Sequence, residues 1–424
     1  MREADKPALA TEIWKVVDQH IELPNNPSYV LDGGNLLFMV KWKKGSTFED
    51  IFKSYVNYVL KHYGPKSVIV FDGYPETPTT KDTTHLRRKS SKAGRCVNIT
   101  PHTKLNMSKE SFMSVLKNKH LFNKMLTEYI NTGITGLRAH QENGDADYLI
   151  AQTAITNSKT DDVVVISADT DILVLLIHLA DSTSCKNIFL TSSANRLSKS
   201  PPRVWDIFNA KQVLGIDVCK NILEIHAFLG CDTTSRIHGI GKGVALKKFQ
   251  SDEQFRANIS VFSNSSATEN DIAKAGESVI CMFYGEKDNF DLNELRYSTF
   301  CKKISTCRTA VLPENLPPTS ESAKFHSMRV FHQVQTWKGI SLNEEHWGWV
   351  RKGNYLLPKL MIKGPAPPDL LKLIKCNCKT GCSSGNCSCK KNNLKCTVMC
   401  GFCKGLSCFN HQDTVGADSD ETSS

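Results

Sequence analysis

The sequence predicts an α/β fold: a mostly parallel twisted sheet with flanking helices, then a helical region and a small cysteine-rich module. Three observations predict it. Short β-branched runs alternate with helical stretches through the first 230 residues; three of those runs end directly in Asp; and nine of the sixteen cysteines fall between Cys376 and Cys408.

Taken in order, the chain of 424 residues is long enough for several domains, and at 40% hydrophobic and 23% charged its composition is globular. Residues 1–27 form an N-terminal extension. Its opening, MREADKPALATEIWKVVDQH, carries charges where a secretory signal needs an apolar core, and the apolar runs of the chain are interrupted by Asp or Ser before about twenty residues. Secretion and membrane spanning are therefore not expected. Strands are expected at SYVL (28–31), SVIVF (67–71), DVVVIS (162–167) and NIFLT (187–191). Continuous apolar runs of this length fit strands covered by helices on both faces, hence a parallel sheet. The segment Met107 to Gly133 reads as one long helix, with about 25 mostly polar residues before it.

Acids follow the strands. Asp32 stands in VLDGGNLL, Asp72 in VFDGYP, and Asp169 with Asp171 in ISADTDILVLL. In open parallel sheets the functional crevice lies beyond the carboxyl ends of the strands, so these acids are expected to converge there. GDADYLIAQTAI places Asp145 and Asp147 at the start of a further helix, and Asp232 lies in HAFLGCDTTSRIHGIGKG. Each alone reads most simply as a turn former or helix N-cap. Seven together are different, because carboxylates gathered in one crevice repel one another and no basic partner stands nearby in sequence. Divalent cations remove that conflict. Oxygen-rich sites without His or Cys suit Mg²⁺ or Mn²⁺, and two such ions about 4 Å apart serve phosphodiester hydrolysis.

IHGIGKGVALKKF (237–249) reads as helix, glycine turn, helix. Gly239, Gly241 and Gly243 permit close backbone approach, and amides at a helix start suit phosphate; Lys242, Lys247 and Lys248 follow the turn. An ordinary tight turn between helices is the simpler alternative.

In this order, Asp-Gly-x-Asn, V-F-D-G, a paired acid opening a helix, S-x-D-T-D and G-C-D-x(6)-G-I-G-K-x-x-A resemble the flap-endonuclease and XPG-type branch of the PIN-like nucleases, over roughly residues 28 to 250. The resemblance implies a two-metal, structure-specific nuclease acting on structured or single-stranded DNA. By motif, Asp32, Asp72 and Asp147 would surround the first ion, Asp169, Asp171 and Asp232 the second, with Asp145 beside them. The glycine turn would grip one DNA backbone through a bound K⁺. Lys81, Arg87 and Arg88 match in kind the basic residues that such nucleases place near the scissile phosphate. The helix-opening acids are usually Glu in that family; Asp at 145 and 147 is one methylene shorter. A catalytically inactive nucleic-acid-binding scaffold stays open on that account, and an RNA endonuclease stays open because related PIN-like sheets also cut RNA.

On this reading residues 28–215 form the nuclease core and 216–345 the helix-hairpin-helix with a helical extension. TSESAKFHSMRVFHQVQTW has a helix-start signature, and Trp337, Trp347 and Trp349 read as packing residues before base-stacking ones. Residues 346–375, containing the helix-breaking PKLMIKGPAPP, read as a linker.

Residues 376–410 are the cysteine module: Cys376, Cys378, Cys382, Cys387, Cys389, Cys396, Cys400, Cys403 and Cys408. Their spacing indicates metal binding in a reducing compartment. Three Zn²⁺ ions need twelve thiolate positions, which nine cysteines fill if three bridge; two separate sites with a spare Cys, or with His411 contributing, is the alternative. The spacing resembles the tesmin-like CXC domain, a DNA-binding module. From Arg351 to Asn410 there are eleven basic residues and one acid, whereas the tail 411–424 carries four acids and no Lys or Arg. A basic module suggests an anionic partner, most simply nucleic acid, and nuclear localisation is expected; the sequence is silent on protein partners.

Overall fold

The computed structural model describes residues 6–74, 77–81, 84, 94–192, 202–288, 290–306, 311, 313–362, 364 and, in the cysteine module, 375–379, 381–383, 385–391, 394–396, 400–405 and 408–410. The expected basic residues Arg87 and Arg88, His411 and the acidic tail lie outside them.

Six strands form the main sheet: β1 (Ser28–Asp32), β2 (Val68–Phe71), β3 (Arg138–Gln141), β4 (Val163–Ile166), β5 (Ile188–Thr191) and β6 (Val204–Asp206). Their order is β3-β2-β1-β4-β5-β6, all neighbours parallel except β5 with β6. The four apolar runs are β1, β2, β4 and β5. Successive side chains of a strand point to opposite faces, and here both faces are buried. Val30, Val68, Val70, Val163 and Val165 enter one core, while Leu31, Ile69, Phe71, Val164 and Ile166 enter the other. Each such side chain stabilises the fold by about 1.5–3 kcal/mol. An α/β fold with a mostly parallel sheet is what these residues build.

The first core is closed by the helices Asp147–Ser158, Thr170–Leu179, Ile216–Phe228 and Ser320–Trp337. Helix Pro7–Trp14, from the N-terminal extension, inserts fully buried Leu9 and Ile13 into the same core. Helices Phe48–Tyr63 and Leu116–Thr132 close the second. Trp337 and Trp349 are buried, and Trp347 packs on Phe331 with ring centroids 4.5 Å apart, so all three tryptophans pack rather than present a stacking surface. A second, two-stranded antiparallel sheet pairs β7 (Trp349–Lys352) with β8 (Tyr355–Pro358).

Two expectations are corrected. The segment 107–133 is not one helix: Lys109–Met113 and Leu116–Thr132 are separated at Val115, whose backbone is extended. The Asn118 amide donates to the Phe112 and Arg95 carbonyls, while its oxygen accepts from Val97 N–H at 2.9 Å. A side chain that takes a helix carbonyl and ties in the preceding loop supports the break. Likewise, no helix immediately precedes the glycine turn; residues 229–241 form a loop between Ile216–Phe228 and Lys242–Ser251.

Candidate functional site

The strand order reverses direction between β1 and β4, and the crevice at such a switch lies outside the carboxyl ends of the strands. All seven acids stand at this edge. Asp32 ends β1 and caps the helix Gly33–Met39 by accepting from Asn35 N–H at 3.2 Å; its other oxygen accepts from the Ser167 hydroxyl at 2.9 Å. Asp72, just beyond β2, accepts from Ala146 N–H at 3.1 Å, which binds it to the start of helix Asp147–Ser158. Asp169 caps Thr170–Leu179 through Asp171 N–H at 2.9 Å. Asp32 and Asp169 thus serve as N-caps, the simpler reading of such residues, and line the crevice as well.

Glycine makes these junctions fit. A Cβ on Gly33 would lie 2.3 Å from the Phe71 ring, and one on Gly73 2.1 Å from the Glu142 carbonyl oxygen. A Cβ on Gly34 would lie 3.1 Å from Asp32 Oδ1 and 3.5 Å from Asp72 Oδ2, so the bare backbone at 34 leaves room between two carboxylates.

Two lysines enter the acid cluster, and sequence adjacency announces neither. Lys6 Nζ lies 2.9 Å from Asp169, 3.0 Å from Asp171 and 3.1 Å from Asp232. Lys81 Nζ lies 2.6 Å from Asp145 and 3.5 Å from Asp147. The acids have no basic partner nearby in sequence, and the fold supplies Lys6 and Lys81 from a distance. Even so, among the described residues seven carboxylates face two ammonium groups in the cluster. Burial, reinforced by Asp72, raises the Asp32 carboxyl to about 6. Burial and Asp145 likewise raise Asp147, and burial and Asp171 raise Asp169. Asp171 goes the other way: burial opposes ionisation, but Lys6 and a hydrogen bond from His226 outweigh it.

The cluster fits divalent cations chemically. Its donors are carboxylate oxygens, and Asp169 and Asp171 from one helix start and Asp232 from a separate loop already converge on one cationic nitrogen. Such a donor set suits Mg²⁺ or Mn²⁺.

The glycine turn divides. Gly239 and Gly241 are exposed, with nothing within 4 Å of where a Cβ would stand, and Lys247 is exposed as well. Lys248 pairs with Asp252 at 3.1 Å. Gly243 faces inward, where a Cβ would meet the Glu12 carboxylate at 2.6 Å. Lys242 is the clear correction. Expected to face DNA, it is 4% exposed and reaches inward to the Gly230 carbonyl at 2.9 Å and His226 Nδ1 at 3.0 Å. It opens the helix on the side that packs against the core, so the carbonyl and the ring replace water around its ammonium.

In the cysteine module, Cys376, Cys382, Cys387, Cys389, Cys396, Cys400, Cys403 and Cys408 are buried, and no disulfide joins the described residues. Neighbouring sulfurs stand 3.5 to 4.0 Å apart. Tetrahedral Zn–S bonds of about 2.3 Å place sulfurs about 3.8 Å from one another, so the cluster suits zinc. Cys376 belongs to each of three overlapping groups whose sulfurs could hold an ion, which include Cys378, Cys382, Cys387, Cys389, Cys396 and Cys403.

No model of a known protein family matches this sequence, and no curated protein matches it. Among solved structures, the chain is similar to the bacteriophage T5 D15 protein co-crystallised with metal ions, at 14% identity and a TM-score of 0.37 over 73% of this chain and 88% of that one. It is similar to the catalytic core of Rad2 in complex with a DNA substrate, at 15% identity and 0.36 over 73% and 79%. A third is flap endonuclease-1 from Methanococcus jannaschii, at 14% identity and 0.33 over 74% and 94%.

Proposed function

We propose that this chain is a metal-dependent nuclease hydrolysing phosphodiester bonds in structured or single-stranded DNA. The observation that carries the reading is the convergence of Asp32, Asp72, Asp145, Asp147, Asp169, Asp171 and Asp232 at the carboxyl edge of the parallel sheet, where, among the described residues, Lys6 and Lys81 lie against them. The ordered sequence motifs support it independently.

Two bound Mg²⁺ or Mn²⁺ ions would polarise the phosphodiester, lower the pKa of water and neutralise the leaving oxygen. Asp32, Asp72 and Asp147 would hold one ion and Asp169, Asp171 and Asp232 the other, with Asp145 alongside. Lys81, released from Asp145 when cations take over its partner's charge, would turn to a phosphate oxygen, with Arg87 and Arg88 assisting. Gly239 and Gly241, with Lys247 and Lys248, would hold the DNA backbone beyond the crevice. The cysteine module, carrying three Zn²⁺, would anchor the chain to DNA in the nucleus.

A second reading, a catalytically silent nucleic-acid-binding scaffold, is favoured by one observation: Lys6 and Lys81 already stand where the acids need cations. One experiment separates the two. End-labelled flap, bubble, single-stranded and duplex DNA, with matching RNA, are incubated with purified protein in Mg²⁺ or Mn²⁺, alongside an Asp169→Asn/Asp171→Asn double variant. Cleavage by the wild type that the variant lacks supports the nuclease, and the preferred substrate ranks DNA against RNA. Binding by both proteins without cleavage by either favours the scaffold.

A further inference from the structure

Behind the acid cluster lies a buried polar relay that the sequence motifs do not assign. Asp171, 2% exposed, divides its two oxygens. Oδ2 faces the crevice, where Lys6 Nζ lies at 3.0 Å, and Oδ1 points inward to His226 Nε2 at 2.7 Å. His226 is wholly buried on the helix Ile216–Phe228, with Trp337 stacked beside it at 5.9 Å between ring centroids and 21° between planes. Its other nitrogen, Nδ1, lies 3.0 Å from Lys242 Nζ, which also donates to the Gly230 carbonyl.

The chemistry of the three groups fixes the direction of the relay. A lysine ammonium has donors and no acceptor, so the nitrogen facing it carries the lone pair; the hydrogen of the neutral ring then sits on Nε2 and is donated to Asp171 Oδ1. Lys242 thereby selects the tautomer, and His226 holds one Asp171 oxygen inward. The other is left for the crevice. Partners of this kind, one step removed from a metal, fix a ligand's orientation. Lysine at position 242 is better explained by this role than by contact with DNA, since its ammonium is enclosed.

We propose that His226 is a positioning residue for Asp171, oriented by Lys242, and that this relay sets the affinity of the crevice for divalent cations. The inference rests on the nuclease reading only in requiring that the crevice bind a cation. Its test is a binding measurement that needs no turnover.

Full-length wild type and the variants His226→Leu, His226→Gln and Lys242→Met are titrated with Mn²⁺, free ion being followed by electron paramagnetic resonance, after circular dichroism has compared their folds. The Gln amide nitrogen can reach the position of Nε2 and keep the bond to Asp171, whereas Leu cannot. The expected result is a loss of Mn²⁺ affinity of about 10- to 100-fold in His226→Leu, recovery to near wild type in His226→Gln, and a smaller loss in Lys242→Met. A merely structural histidine would not be rescued by glutamine. Equal affinity in wild type and a folded His226→Leu overturns the relay and leaves the nuclease reading standing. If His226→Leu does not fold, the other two variants decide: wild-type affinity in Lys242→Met, or a full loss in His226→Gln, overturns the proposal. A wild type that takes up no Mn²⁺ overturns both this proposal and the nuclease reading.

Discussion

Lys6 Nζ lies 3.0 Å from Asp171 Oδ2, a contact between the residue that leads into helix Pro7–Trp14 and an acid in the first turn of helix Thr170–Leu179. The same ammonium reaches Asp169 and Asp232. Burial opposes its charge, yet Asp171, Asp169 and Asp232 raise its pKa well above the ordinary lysine value. Lys6 is a tethered cation within the acid cluster.

Removing that cation should act oppositely on two quantities. Lys6→Met leaves buried carboxylates without their partner, and the metal-free protein should lose about 3 kcal/mol. The vacated charge should then favour Mn²⁺, tightening its binding several-fold. Chemical denaturation with and without saturating Mn²⁺ checks both: the deficit of the variant should shrink when the ion is present. A deficit that is the same in both conditions would mean that Lys6 and the ion do not share the acids.

Gly73 lies where the chain leaves β2, with the Glu142 carbonyl 2.1 Å from the position of a Cβ. Gly73→Ala should destabilise by about 1–3 kcal/mol, because the obstructing atom is backbone. Gly144 has nothing within 4 Å and a φ outside the left-handed region, so Gly144→Ala should change stability by about 0.5 kcal/mol or less. Paired urea denaturation curves measure the contrast.

His326 is fully buried, and its Nε2 donates to the Phe228 carbonyl at 3.0 Å. Burial, reinforced by Arg329, pushes its pKa down to about 3. The unfolded chain binds a proton near pH 6.5 that the folded chain refuses, so this group's stability is complete above that pH and is lost as the pH falls below it. Between pH 7 and 5 the wild type should lose about 2 kcal/mol more than His326→Gln, whose amide can still donate but does not titrate. Denaturation at the two pH values tests this; parallel losses would contradict it.

Cys376 is shared by all three candidate zinc groups, whereas Cys378 belongs to one of them. Cys376→Ser should therefore reduce bound zinc more than Cys378→Ser. Elemental analysis of the two purified full-length variants reads the difference directly; equal zinc content would refute the sharing.

The local sequence was enough for the strands that are apolar throughout. VIVF and VVVI bury side chains on both sheet faces, and that demand is written in four consecutive residues. The acids behind those strands were legible for the same reason, since each follows a strand end. The cysteines were legible as one group because their short spacings suit metal ligands. β3 was not, because Arg138–Gln141 forms an edge strand in which Ala139 alone is buried, and an edge makes little demand on composition. The tertiary structure alone decided that Lys6 enters the acid cluster, that Asn118 ties together the loop and helix end where the long helix breaks, and that Lys242 turns inward to His226. Each involves a contact between residues distant in the chain, for Asn118 the one with Val97, made when packing removes water from a polar group and that group must find a partner within the fold. A short window of sequence records the group and not its partner.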